Sequence, residues 1–150
     1  MTERVDFYVL KSAAAKQRWA FACRLTEMAY LRDLKIVIVN DTLADAQALD
    51  ELLWTFNERS FIPHKVCLDE QSVDPQTAVH LTLESSPVPA ADLLVNLALK
   101  VPAQLERYKR VAEIIDADDE RRRLGRERFK AYRDQKVALE THQLNESADI

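Results

Sequence analysis

The run "LKIVIVN", Leu34 to Asn40, constrains the fold of this chain more than any other stretch. It has the length of a strand, is almost wholly apolar and is rich in β-branched residues, so a strand formed here needs cover on both faces. The flanking segments supply that cover as helices. Upstream, "AAAKQRWAFACRLTEMAYLRD" sets Ala15, Trp19, Ala22, Cys23, Thr26 and Tyr30 at three- and four-residue steps, one face of a helix. Downstream, Thr42 is placed to cap a helix through "LADAQALDELLWTF". Further strands are predicted at Arg4 to Leu10, Val79 to Ser85, Leu93 to Leu99 and Arg110 to Ile115. "NERSFIPH" reads as a loop, Cys67 to Pro75 is polar and without a clear assignment, Pro87 and Pro89 mark a break, and Pro102 opens a short helix. The acidic run Asp116 to Glu120 begins a long helix, where Asp118, Asp119 and Glu120 suit the positive end of its dipole. Such alternation implies one α/β domain over residues 1–137, a mostly parallel sheet with helices on both faces, followed by a polar tail at 138–150 that is expected to fray.

An open parallel sheet suggests a nucleotide enzyme, and composition argues against one. Among 150 residues there is a single glycine, Gly125. Phosphate-binding loops need two or more glycines so that backbone N–H groups can approach the phosphates, so the expected fold is Rossmann-like without a nucleotide-binding loop. A nucleophile elbow is excluded on the same ground. His64, His80 and His142 show no zinc-like spacing and read as structural or surface histidines, and Cys23 and Cys67 form no CxxC pair and read as reduced thiols. Asp41 follows a strand end, a usual place for an active-site acid, but a loop or cap role is the plainer expectation. No catalytic residue, cofactor or metal set is therefore predicted. No apolar run approaches the ~20 residues that cross a bilayer, so no membrane contact and a cytoplasmic location are expected.

Charge is the second informative feature. The net charge is −4, too acidic for a general nucleic-acid binder. Yet residues 121–136 hold eight basic residues against two acids. On a helical wheel Arg122, Arg126, Phe129, Lys130 and Arg133 fall within one arc of roughly 100°. A solvated helix face is one reading. Like charges at successive i,i+4 steps repel, however, and an arriving anion would relieve them. Nucleic-acid phosphates and an acidic peptide are the two candidates. One short stripe offers few phosphate contacts, whereas arginine forks beside an aromatic suit a peptide with carboxylates and one apolar group. A small α/β enzyme or binding protein acting on an anionic metabolite is the alternative from another class.

Four blocks, "FYVL", "CRLTEMAY", "LDELLWTFNERSFIPH" and "RERFKAYR", make the chain resemble the chi subunit family of bacterial DNA polymerase III, a clamp-loader component. The resemblance implies a Rossmann-like fold, no activity of its own, and two protein partners. One is the tail of single-stranded-DNA-binding protein, which is acidic and ends in Ile-Pro and a terminal Phe. For it the resemblance implies Arg122, Arg126, Phe129 and Lys130, with Ile115 as an apolar wall; Arg133, grouped with them by the wheel, is expected to add field. The other is the psi subunit, held by Trp54, Phe61, Pro63 and His64, although Trp54 on its own could equally belong to the core. Nucleic acid is then met only indirectly. Phe129 stands where members often carry Tyr, and Arg32-Asp33 lacks a turn glycine often found there.

Overall fold

The computed structural model describes residues 2–59, 61–86 and 90–144. Among these the chain runs β1 (Arg4–Val9), α1 (Ala15–Tyr30), β2 (Ile36–Asn40), α2 (Leu43–Thr55), β3 (His64–Val66), β4 (Val79–Leu83), β5 (Ala91–Asn96), β6 (Tyr108–Ile115), α3 (Asp119–Asp134) and β7 (Leu139–Gln143). The strands form one all-parallel sheet in the order β3-β4-β2-β5-β6-β1-β7. Crossovers between parallel strands are right-handed, so the direction of each step decides the face its helix takes. The β1-to-β2 and β2-to-β3 steps both run toward the β3 edge, and α1 and α2 pack together on one face. The β6-to-β7 step runs the other way, which puts α3 on the opposite face.

Two cores follow from the pleat. All of β2 is buried: Ile36 and Ile38 join Phe21, Leu49 and Leu53 on the first face, while Val37 and Val39 join Phe7, Leu94 and Tyr132 on the second. On α1, Ala22, Cys23 and Thr26 are buried as the spacing predicts, with Trp19 and Tyr30 half-buried at the margins; the Ala15 side chain lies outside the described set. Thr42 caps α2 by accepting from the Asp45 amide at 3.1 Å. At the turn without glycine, Asp33 itself takes a left-handed backbone (φ 62°), a conformation that aspartate tolerates better than most residues. Cys23 is buried, which pushes its thiol up to about 12.

The structure corrects several expectations. His64, read as the end of a loop, opens the edge strand His64–Val66, too short for its period-2 pattern to stand out. Pro102 opens no helix; a single 3₁₀ turn at Leu105–Arg107 stands there instead. Strand β5 starts earlier and stops at Asn96, whose side chain accepts from the Ala98 amide at 3.0 Å and turns the chain away. The prolines at 87 and 89 lie outside the described residues. The largest correction concerns the tail. Residues 139–143, expected to fray, form β7 and pair with β1 from Val5↔Leu139 to Val9↔Gln143.

Strand β7 is polar, and charges hold it. Glu140 pairs with Arg4 at 2.8 Å, and His142 Nε2 meets Asp6 Oδ1 at 3.1 Å. Asp6, only 3% exposed, also receives Arg4 at 3.1 Å and Arg110 at 2.8 Å. Burial alone would raise the Asp6 carboxyl, but the bonds from Arg110 and His142 and the nearby positive charges outweigh it and hold its pKa below 3.8. A carboxylate whose pKa is depressed by folding stabilises fully above its unfolded value and loses that contribution as pH falls through the folded one. Asp6→Asn is therefore expected to lower the denaturation midpoint at pH 7 and to flatten its fall below pH 4, as read by urea titration across pH; identical profiles for the two proteins would refute the assignment.

Candidate functional site

Helix α3 opens at Asp118, whose carboxylate accepts from the Arg121 amide at 2.9 Å. The buried residues of the helix are Gly125, Arg128 and Tyr132. That inward side lies next to the basic arc, nearer than the Leu124 and Ala131 side, which is only half-buried. Phe129 is consequently half-buried rather than fully facing water, and its ring meets Phe7 edge-on at 5.2 Å. Gly125 permits this approach: a Cβ there would collide with Ile115 Cδ1 and sit 3.3 Å from Ile115 Cγ1.

Of the eight cations, three are taken by acids. Arg121 forks onto Asp116 at 2.8 and 2.9 Å, and Arg123 bridges Glu120 and Glu127. Arg128 is buried, with Nε 3.0 Å from Glu113 Oε1. The other Glu113 oxygen accepts from the Tyr132 hydroxyl at 2.6 Å and the Asn96 amide at 2.8 Å. Burial pushes the Glu113 carboxyl above its usual range, against the pull of Arg128 and both donors, and burial also raises the Tyr132 hydroxyl. Arg122 is oriented by backbone instead, its Nε and Nη2 reaching the carbonyl oxygens of Asp116 (3.1 Å) and Leu10 (3.3 Å). Among the described residues Arg126, Lys130 and Arg133 form no ion pair, and all three are exposed.

Between α3 and the sheet lies an open cavity of about 240 Å3. Arg122, Gly125, Arg126 and Phe129 line it from the helix, Ile115, Phe7 and Val9 from below, and Thr141 and Gln143 from β7. No lining residue is acidic. A cavity of ~150 Å3 suffices for a benzene ring, so this one has room for a single large apolar side chain beside two guanidinium groups. Ile115, Arg122, Arg126 and Phe129 are thus brought together; Lys130 and Arg133 stand on the same helix outside the lining. The β7 pair was missed because "LETHQ" carries no apolar alternation that would mark it as a strand.

At the opposite edge of the sheet a second surface stands out. Trp54 at the end of α2 is 49% exposed and Phe61 is 67% exposed, with ring centroids 5.4 Å apart. His64 closes the cluster from beneath, 4.4 Å from the Trp54 ring and itself buried, its ring nitrogens facing the Ile62 and Asp50 carbonyl oxygens at 2.6 and 2.9 Å. Pro63 is half-buried beside it. Trp54 therefore belongs to the surface and not to the core. Asp41 has a loop role, accepting from the Leu99 amide at 3.1 Å. His80 is buried, with Nε2 accepting from the Asp74 amide at 3.1 Å. Asp6, Glu140 and His142 offer atoms within 4.8 Å of one another, but their carboxylates are already engaged by Arg4 and Arg110. No helix among the described residues is long and apolar enough to cross a membrane.

Residues 1–140 match the family described as DNA polymerase III chi subunit, HolC. The chain belongs to the DNA polymerase III chi subunit family. A chi subunit from Pseudomonas aeruginosa is 36% identical over 141 residues, covering 94% of this chain and 96% of that protein. One from Haemophilus influenzae is 26% identical over 142 residues, covering 94% and 97%. Membership makes the chain an accessory component of the replicative polymerase complex. Solved structures similar in fold include T4 UvsW (TM-score 0.68, 10% identity) and domain 2 of the Mss116p DEAD-box helicase bound to an RNA duplex (TM-score 0.65, 11% identity). They cover 96% and 97% of this chain, which spans 42% and 65% of theirs, less than two thirds in each case. At such identity the likeness concerns the fold alone, a parallel sheet flanked by helices.

Proposed function

We propose that this chi-family chain is a non-catalytic adaptor that seats the acidic C-terminal tail of single-stranded-DNA-binding protein in the α3 cavity and joins the clamp loader through psi. One observation carries the reading: two arginines that have no acidic partner among the described residues line a cavity whose floor is aromatic and aliphatic and whose volume suits one large side chain. The terminal Phe of the tail fits against Phe129, Phe7 and Ile115. Arg122, already oriented by two carbonyl oxygens, and Arg126 clasp the terminal carboxylate and neighbouring aspartates; Lys130 and Arg133 add field from outside. Micromolar affinity, about −8 kcal/mol, is reasonable for a contact of this size. Calorimetric titration with a synthetic tail peptide tests the site. Saturable binding that weakens as salt rises is expected, and no heat at millimolar peptide would refute it.

Exposed Trp54 and Phe61 form the kind of apolar patch that marks an interface, and it supports psi as the occupant. Phe61→Ala is expected to shift unfolding stability by no more than about 0.5 kcal/mol, because the ring is mostly solvated. The same change should abolish co-purification with psi. Retained co-purification would place the psi interface elsewhere.

A further inference from the structure

Strand β7 divides its side chains between two faces, and the two halves do different things. Thr141 and Gln143 pair in register with Phe7 and Val9 and complete the cavity wall. Glu140 and His142 pair with Asp6 and Tyr8 and point the other way. There they meet the ion cluster of Arg4, Asp6 and Arg110, and the His142 ring stacks on Tyr8 with centroids 4.9 Å apart. Beyond these contacts the strand has its backbone ladder to β1, on one side only, and Leu144 just past its end against the first core. It is an edge strand of five residues, it offers the second core only Leu139, and Glu140, Thr141 and Gln143 are exposed. Short polar edge strands with few apolar contacts open most readily. One cavity wall is thus mounted on an edge strand whose side-chain anchors, apart from Leu139, are polar contacts on the far side of the sheet.

We infer that Asp6, Glu140 and His142 are positioning residues for the cavity: they latch β7 from behind, and Thr141 and Gln143 present polar groups to the peptide end seated opposite Arg122 and Arg126. This rests on the reading of the cavity as the tail site. The arginines draw in any acidic chain, whereas the enclosed wall registers whether the terminal apolar residue is present. Loosening the latch therefore removes discrimination more than it removes attraction, as a site does when its supporting residues are left slack.

The test uses the full chain, the tail peptide, and the same peptide lacking its last residue, measured by fluorescence anisotropy. His142→Ala and Glu140→Ala are chosen because both side chains are outside the cavity and partly solvated. Each is expected to weaken the complete tail by about fivefold while leaving the shortened peptide nearly unchanged. Amide exchange should speed up across residues 139–143 and stay constant in α3. Thr141→Ala and Gln143→Ala should lower the same ratio with no change in exchange. Unchanged discrimination in both latch variants, alongside lost binding in Arg126→Ala, overturns the latch and leaves the tail site standing. Failure of the wild-type chain to bind the complete tail overturns both.

Discussion

Arg126→Ala is expected to weaken tail-peptide binding by about 2 kcal/mol or more, roughly thirtyfold in Kd. Arg126 lines the cavity, and among the described residues it has no carboxylate partner that its removal would leave stranded. The loss should thus appear in binding and leave the melting temperature in place. It differs in this from Arg122, whose guanidinium also satisfies the carbonyl oxygens of Asp116 and Leu10, so that truncation there disturbs the fold as well as the site. Removing the last residue of the peptide should be as damaging as the Arg126 change, because the apolar group and the terminal carboxylate enter the same 240 Å3 space. Two results would sink the site: an unaltered Kd in the variant, or equal binding of the shortened peptide by the wild type.

The second large effect concerns stability. Arg128→Ala is expected to cost about 3–5 kcal/mol of unfolding free energy, because it leaves Glu113 buried without its cation. Tyr132 and Asn96 would still donate to one carboxylate oxygen, but neither carries charge. Arg128 also donates to the Leu99 carbonyl oxygen at 3.0 Å, so the loop after β5 should loosen with it. Arg128→Met combined with Glu113→Gln should recover most of the loss, since the buried charges then disappear together. Urea denaturation at pH 7 provides the comparison. A single variant within 1 kcal/mol of wild type would show that the pair carries little of the fold.

Much of this was legible in the chain beforehand, and the reasons are local. β2 announces itself because both of its faces are buried and no polar residue interrupts it before Asn40. The cap at Thr42 is legible because a short side chain must satisfy amides close to it in sequence, whereas Asp118, read from the sequence only as suiting the helix dipole, proves to be the cap of α3. Wheel geometry groups Arg122, Arg126 and Phe129 because α3 is regular. What stayed hidden depends on distant partners. Arg128 looks like one more surface cation until Glu113 on β6 is known to sit beneath it. "LETHQ" looks like a solvated tail because its anchors, Arg4 and Asp6, lie more than a hundred residues upstream. Solvent exposure of Trp54 likewise depends on where the sheet ends, which local composition does not reveal.

Placing β3 and β7 at opposite margins sets six interstrand spacings between the aromatic surface and the cationic cavity, about 29 Å. That span exceeds three screening lengths at physiological ionic strength, each about 8 Å. Neither grip should feel whether the other is engaged. A substitution in one ought to leave the other's dissociation constant untouched, and two partners of modest strength, tethered through one stiff slab, would gain residence by avidity while each still exchanges quickly.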